Sequence, residues 1–257
     1  MTQVSLNALI AAARTGNNLV SIPTDTIPAL ASRPERAAMI YMAKQRSLTK
    51  PLILMAAQAD DLWGYVQHNH PNFPQWQQLA FWYWPGGLTL VLPASDCLPR
   101  AVNPTNPTSI GIRVPNCAIA RYILQQTGPL ATTSVNRSGE PALETIPAIN
   151  QYFPEVLTLS PAVLEEDQWA DSPAIMELLQ SAKETHSSDT SRHLDPYATL
   201  TIPFPTHLAS SALPQRTTSI ASPTSIPRLP STVIRWGRNG WEILRQGQVI
   251  LPAHCLV

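Results

Sequence analysis

Apolar residues recur at helical spacing through MTQVSLNALIAAARTGNN, which predicts a first amphipathic helix that Ser5 caps and Gly16 ends. Leu19 to Ile22 follows as a short buried strand stopped by Pro23, with the polar run TDT at its end. Pro34 opens a second amphipathic helix through Arg46, and Leu52 to Ala56 forms the next apolar strand. Strand, helix and strand in close succession is the pattern of an α/β sheet. Further strands are expected at Leu88 to Leu92, Ile110 to Val114 and Leu130 to Thr133, with helices over Trp76 to Tyr83 and Ala118 to Gln126, the last closed off by Gly128-Pro129. Periodicity lapses from about residue 165 to 230, where Ser, Thr, Pro and His dominate, and the pattern predicts a weakly ordered, low-complexity insertion there. STVIRW and WEILRQG then restore strand alternation around a turn from Gly237 to Gly240, so the chain is expected to be a single domain over residues 1–257 whose closing strands, within 231–247, rejoin the main sheet.

Composition narrows the partners. Lys plus Arg, 17, equals Asp plus Glu, 17, so no overall positive field gathers nucleic acid or an anionic membrane, and any anion must meet a local cluster. Charged residues are only 13% of the 257, against roughly a quarter in ordinary domains, while proline reaches 26. Three cysteines, Cys97, Cys117 and Cys255, are odd in number and widely spaced, which suits a reducing cytoplasm better than a disulfide framework or a zinc knuckle. The N-terminal segment carries no basic leader, and no apolar run is long enough to span a bilayer, so no membrane partner is expected.

Against this sparse charge, KQRSLTKP stands out. Two of the three lysines, Lys44 and Lys50, flank Arg46 where a helix gives way to a strand. Basic residues suit a helix C-terminus through the macrodipole, but the same group can also clamp a polyphosphate. Arg113 in SIGIRVP sits in an otherwise apolar strand, where it must reach solvent on an open face or meet an anion such as a carboxylate. LATTSVNRSG brings Thr132, Thr133, Ser134, Asn136 and Ser138 to a strand's carboxyl end, with Thr132 and Ser134 on one side; such hydroxyls serve phosphate or ribose, or ordinary turn bonding. No Walker loop, GxGxxG, HExxH or CxxC is present; His68 and His70 fit a solvated loop, and Trp82 to Trp84 fit a core cluster better than a base-stacking platform.

Taken together, SIPTDT, KQRSLTKPLIL, YWPGGLTLVLP, TSIGIRVP, LATTSVNRSGEP, and STVI with ILRQG resemble, in order, the motifs of the YrdC family, the threonylcarbamoyl-AMP synthases. The likeness runs to about residue 160 and again from Ser231, leaving the insertion unmatched. It implies an α/β fold with a twisted, mostly open mixed sheet, flanking helices and a large concave cavity. By this resemblance Lys44, Arg46 and Lys50 line the triphosphate as the catalytic cations. Thr26, Arg113, Thr132 and Ser231 bind L-threonine, and Ser109, Ser134, Asn136, Ser138 and Arg245 join Arg46 and Lys50 in holding ATP. The chain departs from the family pattern with Pro28, Ala29 and Leu30 in place of Tyr-Gly-Leu, Met55 in place of a frequent histidine, and Ala142 in place of a frequent serine.

The implied activity is that of a nucleotidyltransferase: L-threonine, bicarbonate and ATP give threonylcarbamoyl-AMP and pyrophosphate, with Mg²⁺ accompanying ATP and no metal ligands from protein side chains. The product would serve threonylcarbamoyladenosine formation at tRNA position 37, making tRNA or the transfer machinery a possible partner. Two other readings remain open at this level: a non-catalytic RNA-binding or ribosome-associated module, and an enzyme of a related carbamoyl-adenylate. The insertion is expected to be a neutral surface loop in preference to a lid, since loops tolerate added length cheaply.

Overall fold

The first helix forms as its sequence dictates. α1 (Leu6–Thr15) begins where the Ser5 hydroxyl accepts from the Ala8 N–H, and ends where Gly16 takes a left-handed conformation, φ 70°. The structure, a computed structural model, describes residues 2–137, 139–165 and 228–252. The expected insertion at 165–230 lies almost wholly outside the described residues, as does Ser138.

β1 (Gln3–Val4) precedes α1, and the chain then runs through β2 (Val20–Ile22), β3 (Ala29–Ser32), α2 (Ala38–Lys44), β4 (Ile53–Met55), α3 (Asp60–Trp63), α4 (Phe73–Tyr83), β5 (Leu88–Pro93), β6 (Ser109–Arg113), α5 (Ala118–Thr127) and β7 (Leu130–Ser134). α6 (Ile146–Tyr152), β8 (Thr158–Leu159), α7 (Pro161–Glu165), β9 (Thr232–Gly237) and β10 (Gly240–Arg245) complete it. Eight strands make one mixed, open sheet in the order β10-β9-β5-β6-β4-β7-β3-β2, while β1 and β8 form a separate parallel pair. The closing strands do rejoin the main sheet: β9 lies parallel to β5, Leu88 opposite Thr232, and β10 folds back antiparallel.

Two expectations need correction. The helix from Pro34 to Arg46 is two pieces, a 3₁₀ turn at Pro34–Arg36 and then α2, which stops at Gln45 in the left-handed region, φ 49°. Arg46 therefore leaves the helix and enters the following turn, where its N–H bonds the Tyr41 carbonyl. The simple strand-helix-strand unit is also absent, because β3 intervenes: it pairs antiparallel with both β2 and β7, so β2 and β4 are not neighbours. Four small or apolar residues, ALAS, directly after a proline gave no clear strand signal.

The sheet register sorts the side chains onto two faces, since neighbours in register point the same way. Leu30, Leu54, Leu88, Leu90, Leu92, Ile110, Ile112, Ala131 and Ile234 face the larger core beneath α2, α3 and α4. On the opposite face Val20, Ile22, Ala29, Ala31, Met55 and Leu130 pack under Leu6, Leu9, Ile10 and Ala13 of α1 and Ile119, Ile123 and Leu124 of α5. That second cluster ends at β4. Beyond it the register turns Ser109, Gly111 and Arg113 of β6, Thr89 and Val91 of β5, and Val233 of β9 to the same face, where hydroxyl and cationic residues join the apolar ones.

Candidate functional site

Arg113 marks one end of this polar half-face. It is 2% exposed, and its three nitrogens are all engaged: Nη2 with Asp25 Oδ1 at 2.6 Å, Nη1 with Thr26 Oγ1 at 2.8 Å, and Nε with the Gly86 carbonyl at 2.9 Å. The TDT run thus arches from the end of β2 onto the sheet face, held in its own turn by Thr24 Oγ1, which accepts from the Thr26 N–H and donates to the Ile27 carbonyl. Sequence reasoning left Arg113 to choose between solvent and an anion; it meets a carboxylate, and that carboxylate is internal. Asp25 was not singled out, although its place between two threonines within reach of a buried arginine was the available signal. Met55, opposite Arg113 in register, fills the neighbouring position on β4 with an apolar side chain.

Beside Arg113 the closing hairpin contributes a second group. Thr89 Oγ1 and Ser231 Oγ lie 2.9 Å apart, both side chains buried, and Arg245 donates from Nε and Nη2 to the Ser231 carbonyl and from Nη2 to Ser231 Oγ at 3.1 Å. Burial first of all, and the Arg245 charge in addition, pull the Arg113 guanidinium below its ordinary range against the raising effect of Asp25. Burial also lowers Arg245. Thr89 is a further residue that the sequence reading missed, hidden in a strand that reads as uniformly apolar.

The other end of the half-face lies four residues along β6, about 13 Å away at strand rise. There Ser109, partly buried, opens β6, with its carbonyl accepting from Asn103 Nδ2 at 3.0 Å. Counting two residues back from the pairs Ile53–Gly111 and Ile53–Thr132 puts Pro51 between Ser109 and Ser134. Arg46 comes to that point, donating from Nη2 to the Pro51 carbonyl at 3.0 Å and from Nε to the Lys50 carbonyl at 2.9 Å, with Lys50 itself exposed. Lys44 is 1% exposed; its Nζ donates to the Ser134 carbonyl and to Asn136 Oδ1 at 3.1 Å. Burial and then the Arg46 charge bring the Lys44 ammonium down to about 7. Ser134 Oγ donates to Asn136 Oδ1 at 2.5 Å, and Asn136 Nδ2 ties the turn to the carbonyls of Arg137 and Glu140. Thr132 lies between the two ends, its hydroxyl 3.4 Å from the Ile53 carbonyl.

The predicted residues therefore fall into two groups, near the two ends of β6. Thr26, Arg113, Ser231 and Arg245 stand at one end; Lys44, Arg46, Lys50, Ser109, Ser134 and Asn136 stand at the other. Arg245 falls with the first group, although the resemblance implied a nucleotide role. Two open hollows of about 390 and 720 Å³ occur elsewhere, at Asn17, Met39 and Glu155 and at His70, Trp236 and Arg238, and none of the residues predicted for the site lines either. Partly desolvated cations without a full complement of anions are costly to hold, so an arrangement of this kind is chemically suited to take up anionic ligands.

Known proteins share this architecture. Threonylcarbamoyl-AMP synthase of Bos taurus is 33% identical over 156 residues, covering 59% of this chain and 54% of that protein, and the synthase of Pseudomonas paraeruginosa is 30% identical over 142 residues, covering 54% and 75%. The chain spans about half the length of the mammalian relatives it matches. A structure of P. abyssi Sua5 complexed with L-threonine shares the fold at TM-score 0.62 and 21% identity, over 94% of this chain and 54% of that one. A model of the Sua5/YciO/YrdC family, described by the words telomere recombination, matches residues 12–172, more than half of the sequence, and the chain belongs to that family.

Proposed function

We propose that this protein synthesises threonylcarbamoyl-AMP from L-threonine, bicarbonate and ATP, acting as a nucleotidyltransferase that releases pyrophosphate. The observation that carries the reading is the pair of cationic groups near opposite ends of β6. Lys44, Arg46 and Lys50 with Ser134 and Asn136 suit a polyphosphate, and Arg113 with Thr26 and Ser231 suits an amino acid, the two about 13 Å apart along β6. Relatives named for this synthase support the choice of substrates.

The chemistry sets an anion against a polyanion. Threonine's amine, once it has lost its extra proton, bonds to the carbon of bicarbonate as water leaves, or adds to carbon dioxide and gives up a further proton to solvent, and either route yields the carbamate. A carbamate oxygen then bonds to the α-phosphorus of ATP as the bond to the bridging oxygen breaks, and that electron pair leaves with pyrophosphate. Repulsion between the two charges is the main barrier, and fixed cations in a partly dry site reduce it without reorganising at the moment of reaction. Arg46 and Lys44 are held by backbone and Asn136 contacts, so they are already positioned. No general base is assigned, because the carbamate is itself the nucleophile. Lys44, Arg46 and Lys50 suit the phosphates of ATP, and Mg²⁺ carried on those phosphates would neutralise charge alongside them.

The product would supply tRNA threonylcarbamoylation at position 37, in the cytoplasm. No helix among the described residues is long and apolar enough to cross a membrane. Incubating the protein with ATP, Mg²⁺, bicarbonate and each amino acid in turn, with mass detection of the adenylate, tests the reading. A threonine-dependent adenylate and stoichiometric pyrophosphate are expected; pyrophosphate release indifferent to threonine would overturn it.

A further inference from the structure

We infer that Asp25 holds the α-ammonium of the amino acid, so that Asp25 and Arg113 together recognise the free zwitterion. The inference rests on the proposed use of an amino acid substrate and goes on to say which atom reads its amine.

The starting point is an unsatisfied oxygen. Asp25 Oδ1 is taken by Arg113 Nη2 at 2.6 Å, but Oδ2, completely buried, has no hydrogen-bond partner among the described residues. Buried carboxylate oxygens seldom go without donors, because desolvation without compensation is expensive. The hydroxyls nearest in the chain are committed elsewhere. Thr24 Oγ1 donates to the Ile27 carbonyl, and Thr26 Oγ1 accepts from Arg113 and lies 3.2 Å from Thr24 Oγ1. The missing partner must be a donor, and a positively charged one suits a carboxylate best.

Arg113 supplies the complementary half. Its three contacts to Asp25, Thr26 and Gly86 use three of the five guanidinium hydrogens, leaving two for an incoming carboxylate. A free α-amino acid carries a carboxylate and an ammonium on one carbon. An ion pair with a spare donor on its cation and a bare acceptor on its anion offers the opposite charge to each. The pair also stays neutral when empty, which is why two charges can stand so deeply buried before the ligand arrives.

The consequence is a specificity. A ligand keeping the carboxylate and the C3 hydroxyl but lacking the amine would leave Asp25 Oδ2 bare and lose affinity, whereas an arginine acting alone would not distinguish the two. Calorimetric titration of the wild-type protein with L-threonine and with (R)-3-hydroxybutanoate makes the first comparison, and the prediction is a preference of roughly 10- to 100-fold for threonine, the scale of one charge-assisted hydrogen bond. The same titrations on Asp25→Asn should bring that preference close to unity, and Asp25→Glu should restore part of it. If wild type binds both ligands equally, or if Asp25→Asn weakens both in the same proportion, Asp25 only positions Arg113 and the inference fails. The wild-type comparison stands even if the asparagine variant does not fold. A wild-type protein that binds no threonine in the presence of ATP would instead overturn the proposed substrate itself, an outcome distinct from an unchanged preference.

Discussion

Lys44 shows how one residue couples burial to ligand binding. Its ammonium is enclosed at the end of α2, and burial reinforced by Arg46 brings its pKa to about 7. In the unfolded chain a lysine stays protonated to about 10.4. Between those values the unfolded state binds more protons than the folded one, so this group's contribution to stability rises with pH from about 7 upward. A polyphosphate beside Lys44 would reverse the shift by favouring the charged form. ATP binding at pH 8 is therefore expected to take up protons, and affinity to fall as pH climbs past 7. Calorimetry in two buffers of different ionisation enthalpy measures the uptake directly; zero uptake at pH 8 would remove Lys44 from the phosphates. The sequence showed that Lys44 and Arg46 belong together, but not that one lies buried against Asn136 while the other caps a turn. That distinction depends on Gln45 adopting a left-handed backbone, which nothing in KQRSLTKP signals.

At the scale of elements, the closing hairpin depends on one hydroxyl. Thr232, fully buried at the start of β9, donates to the Val249 carbonyl at 2.6 Å and accepts from the N–H groups of Gly247 at 2.9 Å and Val249 at 3.0 Å. The approach is so close that a Cβ on Gly247 would stand 2.2 Å from the Pro230 carbonyl oxygen. These bonds strap the chain after β10 across the start of β9 and so fix Ser231 beneath Arg245. Thr232→Val keeps the volume but takes the acceptor from two N–H groups, while the Val249 carbonyl keeps Gln246 Nε2 at 2.7 Å. It is expected to destabilise the fold by on the order of 3 kcal/mol and to weaken the dependence on threonine, while Thr232→Ser should do much less. Urea unfolding of the three proteins checks this, and an unchanged midpoint for the valine variant would show that the strap adds nothing. The existence of both strands was legible from STVIRW and WEILRQG because alternation is a local signal. Their place beside β5 was expected only as a return to the sheet, since pairing across more than a hundred residues leaves no periodic trace. β3, with its short ALAS run, left none either.

For the molecule as a whole, the decisive quantity is where a small number of charges point. Formal charge sums to zero, and two cations of the candidate site are turned inward, Lys44 at 1% exposed and Arg113 at 2%, while Arg46 and Arg245 donate to backbone carbonyls and Lys50 and Arg245 stand exposed. Nucleic acid is held nonspecifically by outward-facing cations that displace counterions, with affinity falling steeply as salt rises. Exposed basic residues such as Arg14, Arg36, Arg100, Arg137 and Arg238 are offset by an equal formal number of acidic ones over the chain, so no net positive field gathers a phosphate backbone, and a basic concavity for RNA and a buried clamp for ATP make different demands on the site residues. The expectation is that tRNA without ATP binds no tighter than the weak nonspecific range, about 10⁻⁴ to 10⁻⁶ M at physiological salt, with a shallow slope against salt. Filter binding between 50 and 200 mM salt provides the measurement. A slope corresponding to six or more phosphate contacts would mean that exposed arginines act together as one binding face, and would favour an RNA-binding module over the synthase. A shallow slope alongside threonine-dependent adenylate formation would leave tRNA to be engaged by whatever protein receives the intermediate.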